Sequence, residues 1–173
     1  MKGLLTVFAA LVLSGLVWAD AVSHGLQVRE ADFDGKVTWV TDGDSIRVQT
    51  EDGAKVSVRL YGIDAPERDQ PFGSEASLHL RRLVRGRTVR VVCRNRDTYG
   101  RLVATVFLGK TDVCLKMLSD GCAWHYSYYD DTPAYAEAER HARAEGRGLW
   151  AEENPVNPYA WRKERKEKKR SGP

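Results

Sequence analysis

Six charged side chains sit at turns and strand ends in the first two thirds of the chain. Asp42 and Asp44 flank a glycine in TDGDS. Arg59, Asp64 and Glu67 crowd around a proline in RLYGIDAPER, and Arg101 follows DTYG. Crowded carboxylates repel and raise each other's pKa. A hard divalent cation removes that conflict, and calcium accepts roughly six to eight oxygens from carboxylates, backbone carbonyls and water. Asp44, Asp64 and one backbone carbonyl would leave places for water. Arginine presents a planar fork that matches two phosphate oxygens, so Arg59 and Arg101 suit a phosphate across the same site. Glu67, the carboxylate left over, would orient or deprotonate a metal-bound water. These are the parts phosphodiester hydrolysis uses, because preorganised cations stabilise a transition state that gains negative charge.

Each part alone has an ordinary reading. TDGDS is a hairpin turn, and it lacks the alternating ligands and terminal glutamate of an EF-hand loop. Arg59 fits a solvent-facing strand position. DAPE is a loop with Asp before a proline turn, and Arg101 can simply pair with Asp97. The combination in this order is what points to chemistry.

These residues need a scaffold that brings distant segments to one place. GKVTWV, SIRVQT and KVSVRLYGI (from residue 35 to residue 63) alternate apolar and polar residues and read as three strands joined by short turns. From Ser74 to Arg85 the period becomes helical, with Ala76, Leu80, Leu83 and Val84 on one face and Gly86 as the stop. RTVRVVC and LVATVFLG give a fourth and a fifth strand. A short helix follows, with Asp112 as N-cap and Gly121 as stop. A third helix opens at Thr132–Pro133 and runs to about Glu145. This order predicts an α+β fold, a five-stranded OB-fold β-barrel with three α-helices. In a small barrel the charged segments can converge on one rim. Trp39, Trp124 and Trp150 are expected in the core, although aromatic rings also stack on bases in single-strand binders.

The chain has 173 residues and a formal charge of +3, enough for one domain with a sizeable core. Residues 1–21 read as a secretory signal peptide: Lys2, an apolar run from Leu4 to Val17, and ADA before a cleavage after Ala21 or Ala19. That predicts an exported protein, periplasmic or secreted, with no stable membrane association. Residues 22–31 read as a linker, 32–160 as the barrel domain and 161–173 as a basic tail. The tail holds seven Lys or Arg against two Glu, which leaves the rest slightly acidic. Such a segment is either a solvated disordered tail or an arm that attracts polyanions without selecting among them. Cys93, Cys114 and Cys122 cannot all pair internally, and the scattered histidines give no zinc pattern.

Together DGDS (42–45), VRLYGIDAPE (58–67), YGR (99–101), GLW (148–150) and NPVNPYAWR (154–162) resemble the staphylococcal nuclease-like (thermonuclease) family over about residues 33–162. The resemblance implies a calcium-dependent endonuclease acting on DNA and RNA with little sequence specificity. It also implies a preference for single-stranded or locally unpaired substrate, a monomer, and products with 3′-phosphate and 5′-hydroxyl ends. By this resemblance Asp44 and Asp64 would ligate Ca2+ through their side chains and Ala65 through its backbone carbonyl, with Asp42 supporting the site from behind. Arg59 and Arg101 would bind the scissile phosphate and Glu67 would be the general base. Tyr99 would sit by the nucleotide phosphate, and Tyr126, Tyr128 or Tyr129 by the base. Ala65 stands where the family's best-known member has threonine, a change that a backbone ligand tolerates. The loop after Glu67 is several residues shorter than in that member.

Two other readings compete. A binding module would keep the fold but lose the catalytic set, whereas all five of Asp44, Arg59, Asp64, Glu67 and Arg101 are present. A calcium-binding structural protein of the envelope would not need two arginines at the metal.

Overall fold

The computed structural model describes residues 31–172. The signal peptide read at residues 1–21, and the linker apart from its last residue, lie outside them. In chain order the elements are β1 (Phe33–Val40), β2 (Ser45–Thr50), β3 (Lys55–Leu60), β4 (Ile63–Asp64), α1 (Gly73–Val84), β5 (Thr88–Arg96), β6 (Leu102–Leu108), β7 (Thr111–Asp112), α2 (Val113–Ser119), β8 (Trp124–His125), α3 (Pro133–Ala144), a 3-10 turn (Gly148–Ala151) and α4 (Pro158–Arg170).

Alternation in the strands sends one face inward. Val37, Ile46, Val48, Val58 and Leu60 are buried, as are Val89, Val91, Ala104 and Val106 on β5 and β6. Each fully buried Val, Leu or Ile contributes roughly 1.5–3 kcal/mol of transfer free energy. The strands run β3-β2-β1-β5-β6 with antiparallel neighbours. The barrel closes where β3 lies parallel to β6, Val58 opposite Leu102 and Leu60 opposite Ala104. Five strands closed in this way, with helices packed outside, form an OB-type α+β barrel. β4 continues from β3 and pairs with β8, which ties the loop after β3 to the segment before α3.

Two helices start as their sequences require. Asp112 accepts the Leu115 amide at the start of α2, and α3 begins with Pro133 at its first position. The described residues hold four α-helices where the sequence predicts three. The extra one, α4, is built from the basic segment. Asn157 caps it by accepting the Tyr159 amide, Pro158 opens it, and Lys168 pairs with Glu164 one turn back (2.6 Å). The segment is helical from Pro158 onward, with no break at residue 160.

Trp39 is a correction to the core expected from sequence. A register shift between Val37 and Trp39 turns both Val37 and Val40 inward and leaves Trp39 outside, under the Arg85 guanidinium. Trp150 is buried and Trp124 half-buried, with ring centroids 4.4 Å apart. Cys114 and Cys122 are buried thiols rather than half-cystines. Among the described residues no helix is long and apolar enough to cross a membrane.

Candidate active site

The site is assembled from the β1–β2 turn, the end of β3, the loop after β4, the start of β6 and the first turns of α4. Asp42 shapes the first of these. Its Oδ1 accepts the Asp44 amide at 3.1 Å, an Asx turn. Burial raises the Asp42 carboxyl above its ordinary pKa, against the opposing pull of a hydrogen bond with Ser45 and the charges of Arg59 and Arg101.

The turn aims Asp44 inward, where it is 3% exposed. Its Oδ1 accepts the Ser45 hydroxyl (3.0 Å) and its Oδ2 the Ala65 amide (2.9 Å). Gly43 lets three segments close on one another here. A Cβ on it would lie 2.6 Å from the Ala65 Cβ and 3.0 Å from the Ala76 Cβ of α1.

Arg59 lies between the two buried aspartates. Its Nη1 pairs with Asp44, and its Nη2 donates to Asp64 Oδ1 (2.8 Å) and to the Ile63 carbonyl (3.3 Å). Asp64 is 2% exposed. Arg101 approaches from the start of β6. Asp97 holds it by accepting from its Nε (2.7 Å) and its amide (2.9 Å). Arg101 Nη1 reaches Ser45 Oγ at 3.4 Å, so Ser45 links Asp44 to Arg101. Burial disfavours the Asp97 anion, but the hydrogen bonds and charge of Arg101 outweigh it and hold the carboxyl below its ordinary value.

Glu67 sits on a tight loop. Gln70 Oε1 accepts the Glu67 amide (3.1 Å), and the Gly73 amide donates to the Gln70 carbonyl (3.0 Å). A Cβ on Gly73 would stand 1.8 Å from the Glu67 carbonyl oxygen, so only glycine permits this closure. The loop turns straight into α1, which starts at Gly73.

The residue that sequence reasoning missed is Arg162. It projects from α4 onto the acidic pair. Its Nη2 donates to Asp64 Oδ2 (2.8 Å), and its Nη1 donates to Asp64 Oδ1 (3.1 Å) and Glu67 Oε1 (2.8 Å). Burial opposes the charge on Arg162, yet the hydrogen bonds and charges of Asp64 and Glu67 prevail and raise its pKa. Two further contacts fasten α4 to the Glu67 loop: Gln70 donates to the Val156 carbonyl, and Arg165 pairs with Asp69. The available signal was NPYAWR itself, an Asn-Pro helix start that places an arginine in the second turn.

These groups line or underlie one open cleft of about 590 Å³, bordered by Asp42, Asp44, Arg59, Glu67, Arg101 and Arg162. Tyr99, Tyr126 and Tyr129 also line it, whereas Tyr128 stands outside the lining, edge-on to Tyr129 at 4.7 Å. Tyr61, not singled out from sequence, lines the cleft and donates to the Tyr129 carbonyl (3.0 Å). Asp64 lies beneath its two arginines.

Among the described residues no three His, Cys, Asp or Glu side chains gather as a ready-made metal cluster. The donor chemistry nonetheless suits a hard cation. Asp44 and Asp64 offer buried carboxylate oxygens on either side of one guanidinium, and a second guanidinium covers both oxygens of Asp64. Positive charge is what these oxygens already hold.

A closed five-stranded barrel with buried aspartates, arginines and a half-buried glutamate on one rim defines an OB-type protein with a charged rim site. A family model described as staphylococcal nuclease homologue matches residues 57–152, and the chain belongs to that family. It is 38% identical over 131 residues to an uncharacterized endonuclease of Haemophilus influenzae, covering 76% of this chain and 74% of the relative. It is 39% identical over 133 residues to an uncharacterized endonuclease of Escherichia coli O157:H7, covering 76% and 86%. Over 112 residues it is 40% identical to the probable staphylococcal-like nuclease CAN1 of Oryza sativa subsp. japonica, covering 65% of this chain and 34% of the plant protein. The chain thus spans about a third of that plant relative.

Proposed function

We propose that the protein is an exported, calcium-dependent endonuclease that hydrolyses phosphodiester bonds in DNA and RNA with little sequence specificity. The products would carry 3′-phosphate and 5′-hydroxyl ends. The observation that carries this reading is the convergence of Arg59, Arg101 and Glu67 with the buried Asp44 and Asp64 on one cleft. Relatives named nuclease or endonuclease support it. Export rests on the first 21 residues alone.

Asp44, Asp64 and the Ala65 carbonyl would hold calcium, whose chemistry there is Lewis-acid activation of water and phosphate. Arg59 and Arg101 bind the non-bridging phosphate oxygens and are pre-aimed by Asp44, Asp64 and Asp97. Glu67 takes the proton of the water that attacks phosphorus. The phosphorus–O5′ bond breaks, O5′ picks up a proton from solvent, and the phosphate stays on the 3′ side. Tyr99, Tyr126 and Tyr129 border the flanking nucleotide. Phosphate contacts position a strand without reading its sequence, so low specificity follows.

The test is incubation of the mature protein, from Val22, with single- and double-stranded DNA and RNA, in calcium, magnesium or chelator. Cleavage in calcium that leaves 3′-phosphates is expected. Binding without cleavage under every metal would instead make the protein a binding module.

A further inference from the structure

α4 separates its charges by face. At roughly 100° per residue, Arg162, Arg165, Lys166, Lys169 and Arg170 fall within an arc of about 140°. Lys163 borders this arc beside Arg170, and Glu164, Glu167 and Lys168 occupy the other side, where Lys168 pairs with Glu164. The first two cations of the stripe are engaged at the site, Arg162 with Asp64 and Glu67, and Arg165 with Asp69. Lys166 lines the cleft. Lys169 and Arg170 are exposed and, among the described residues, have no acidic partner.

The stripe therefore starts inside the cleft and runs outward about 10 Å from Arg162 to Lys169. Its acid-free face is suited to a polyanion that is already in the cleft. A lipid surface fits less well, because after Trp161 the helix carries no apolar side chain.

We propose that this face of α4 is a strand-binding surface, receiving the phosphates of one polynucleotide strand as it leaves the cleft past Arg162. The proposal rests on the nuclease reading of the cleft and adds to it the path of the substrate. Lys166 takes the phosphate next to the cleft, and Lys169 and Arg170 take those further out. Long substrates then gain affinity that short ones lack, and the gain is sensitive to salt.

The experiment compares wild type with K169Q/R170Q, and with K110Q/K168Q as a variant of equal net charge altered off the stripe, at the exposed β6–β7 turn and on the far side of α4. Binding is read by fluorescence anisotropy in chelator, which removes calcium-dependent turnover, using a trinucleotide and a single-stranded DNA of about sixteen nucleotides. Each phosphate neutralised on a single strand contributes about −0.7 to the slope of log affinity against log salt. K169Q/R170Q should flatten the slope for the longer DNA by about 1.4. Between about 50 and 200 mM salt, wild type then loses roughly sevenfold more affinity than this variant. The variant's loss should be larger on the longer DNA than on the trinucleotide, and K110Q/K168Q should stay nearer wild type.

Equal slopes in all three proteins would overturn the proposal. So would equal flattening in both variants, which would mean that only net charge matters. Tighter binding to vesicles of phosphatidylglycerol and phosphatidylcholine than to the DNA would overturn it as well. Because the readout needs no cleavage, the two readings fail separately. A flattened slope in a protein that cleaves nothing in calcium keeps the surface and removes the nuclease. Cleavage with unchanged slopes does the reverse.

Discussion

Arg162 and Asp64 are separated by 98 residues of chain and meet as a two-pronged pair, Nη1 on Oδ1 at 3.1 Å and Nη2 on Oδ2 at 2.8 Å. Asp64 is thereby claimed by two arginines. Its oxygens are also those that calcium would need under the proposed function. Arg162→Gln should cost about 1–2 kcal/mol in chelator, a modest loss because the Arg162 side chain is 34% exposed. Melting curves should show this deficit shrinking in calcium, and titration calorimetry should show tighter calcium binding. Weaker calcium binding in the variant would mean that Arg162 positions Asp64 rather than competing for it.

Glu67 Oε1 accepts from Arg162, and its backbone amide is held by Gln70. Glu67→Ser removes the proposed base and leaves the barrel intact. Its kcat should fall by about 10²- to 10⁴-fold while affinity for single-stranded DNA in chelator changes little. A fully active variant would sink the proposed role.

Gly73→Ala forces a Cβ toward the Glu67 carbonyl, to 1.8 Å without relaxation. The obstacle is backbone, so the loop must move. Stability should drop by about 1–3 kcal/mol, as in other overpacking changes, and kcat should fall with it. The paired measurement of Tm and kcat decides; a neutral substitution would show that the loop tolerates another path.

The Asp97 carboxyl lies below its ordinary value of 3.8 in the folded protein. Its contribution to stability is therefore complete above about pH 4 and is lost as pH falls through the lower folded value. Asp97→Asn should be less stable than wild type at pH 7, and the gap should close as pH falls below 3.8 toward 2. Denaturant melts across that range would show it. A gap independent of pH would assign the effect to packing.

Burial pushes the Cys114 and Cys122 thiols up to about 12. Iodoacetamide at pH 8 should leave both unmodified in the native protein and alkylate them once it is unfolded. Rapid native modification, read by mass, would mean that α2 opens easily.

The barrel was legible because its strands alternate cleanly and its turns carry Asp-Gly and Gly signals. Helices α1 to α3 announced themselves through apolar spacing, an Asp cap and an N-terminal proline. The short pairing of Ile63–Asp64 with Trp124–His125 was not legible, because two residues have no period. The outward Trp39 was hidden for a related reason, since a bulge breaks the alternation that would reveal it. Among the site groups, Asp42, Asp44, Arg59, Glu67 and Arg101 were found by type and spacing, and the structure brings them to one cleft. Ser45 was hidden inside a quoted motif. Arg162 escaped because a run of lysine, arginine and glutamate looks the same whether it is solvated or docked; only the contacts of Arg162 and Arg165 with the Glu67 loop separate the two cases.

The parallel seam that closes the barrel has one further consequence. Arg59 sits on one edge of that seam opposite Val103, and Arg101 lies two residues before Val103 on the other edge. The hydrogen bonds that fasten the sheet to itself are thus also the ruler that fixes the spacing of the two guanidinium forks to which phosphate binding is assigned under the proposed function. Loosening the seam spreads the grip before any residue of the site is altered. Turnover in this protein should then behave as a gauge of barrel closure, falling to zero in step with the seam rather than fading as the surface frays.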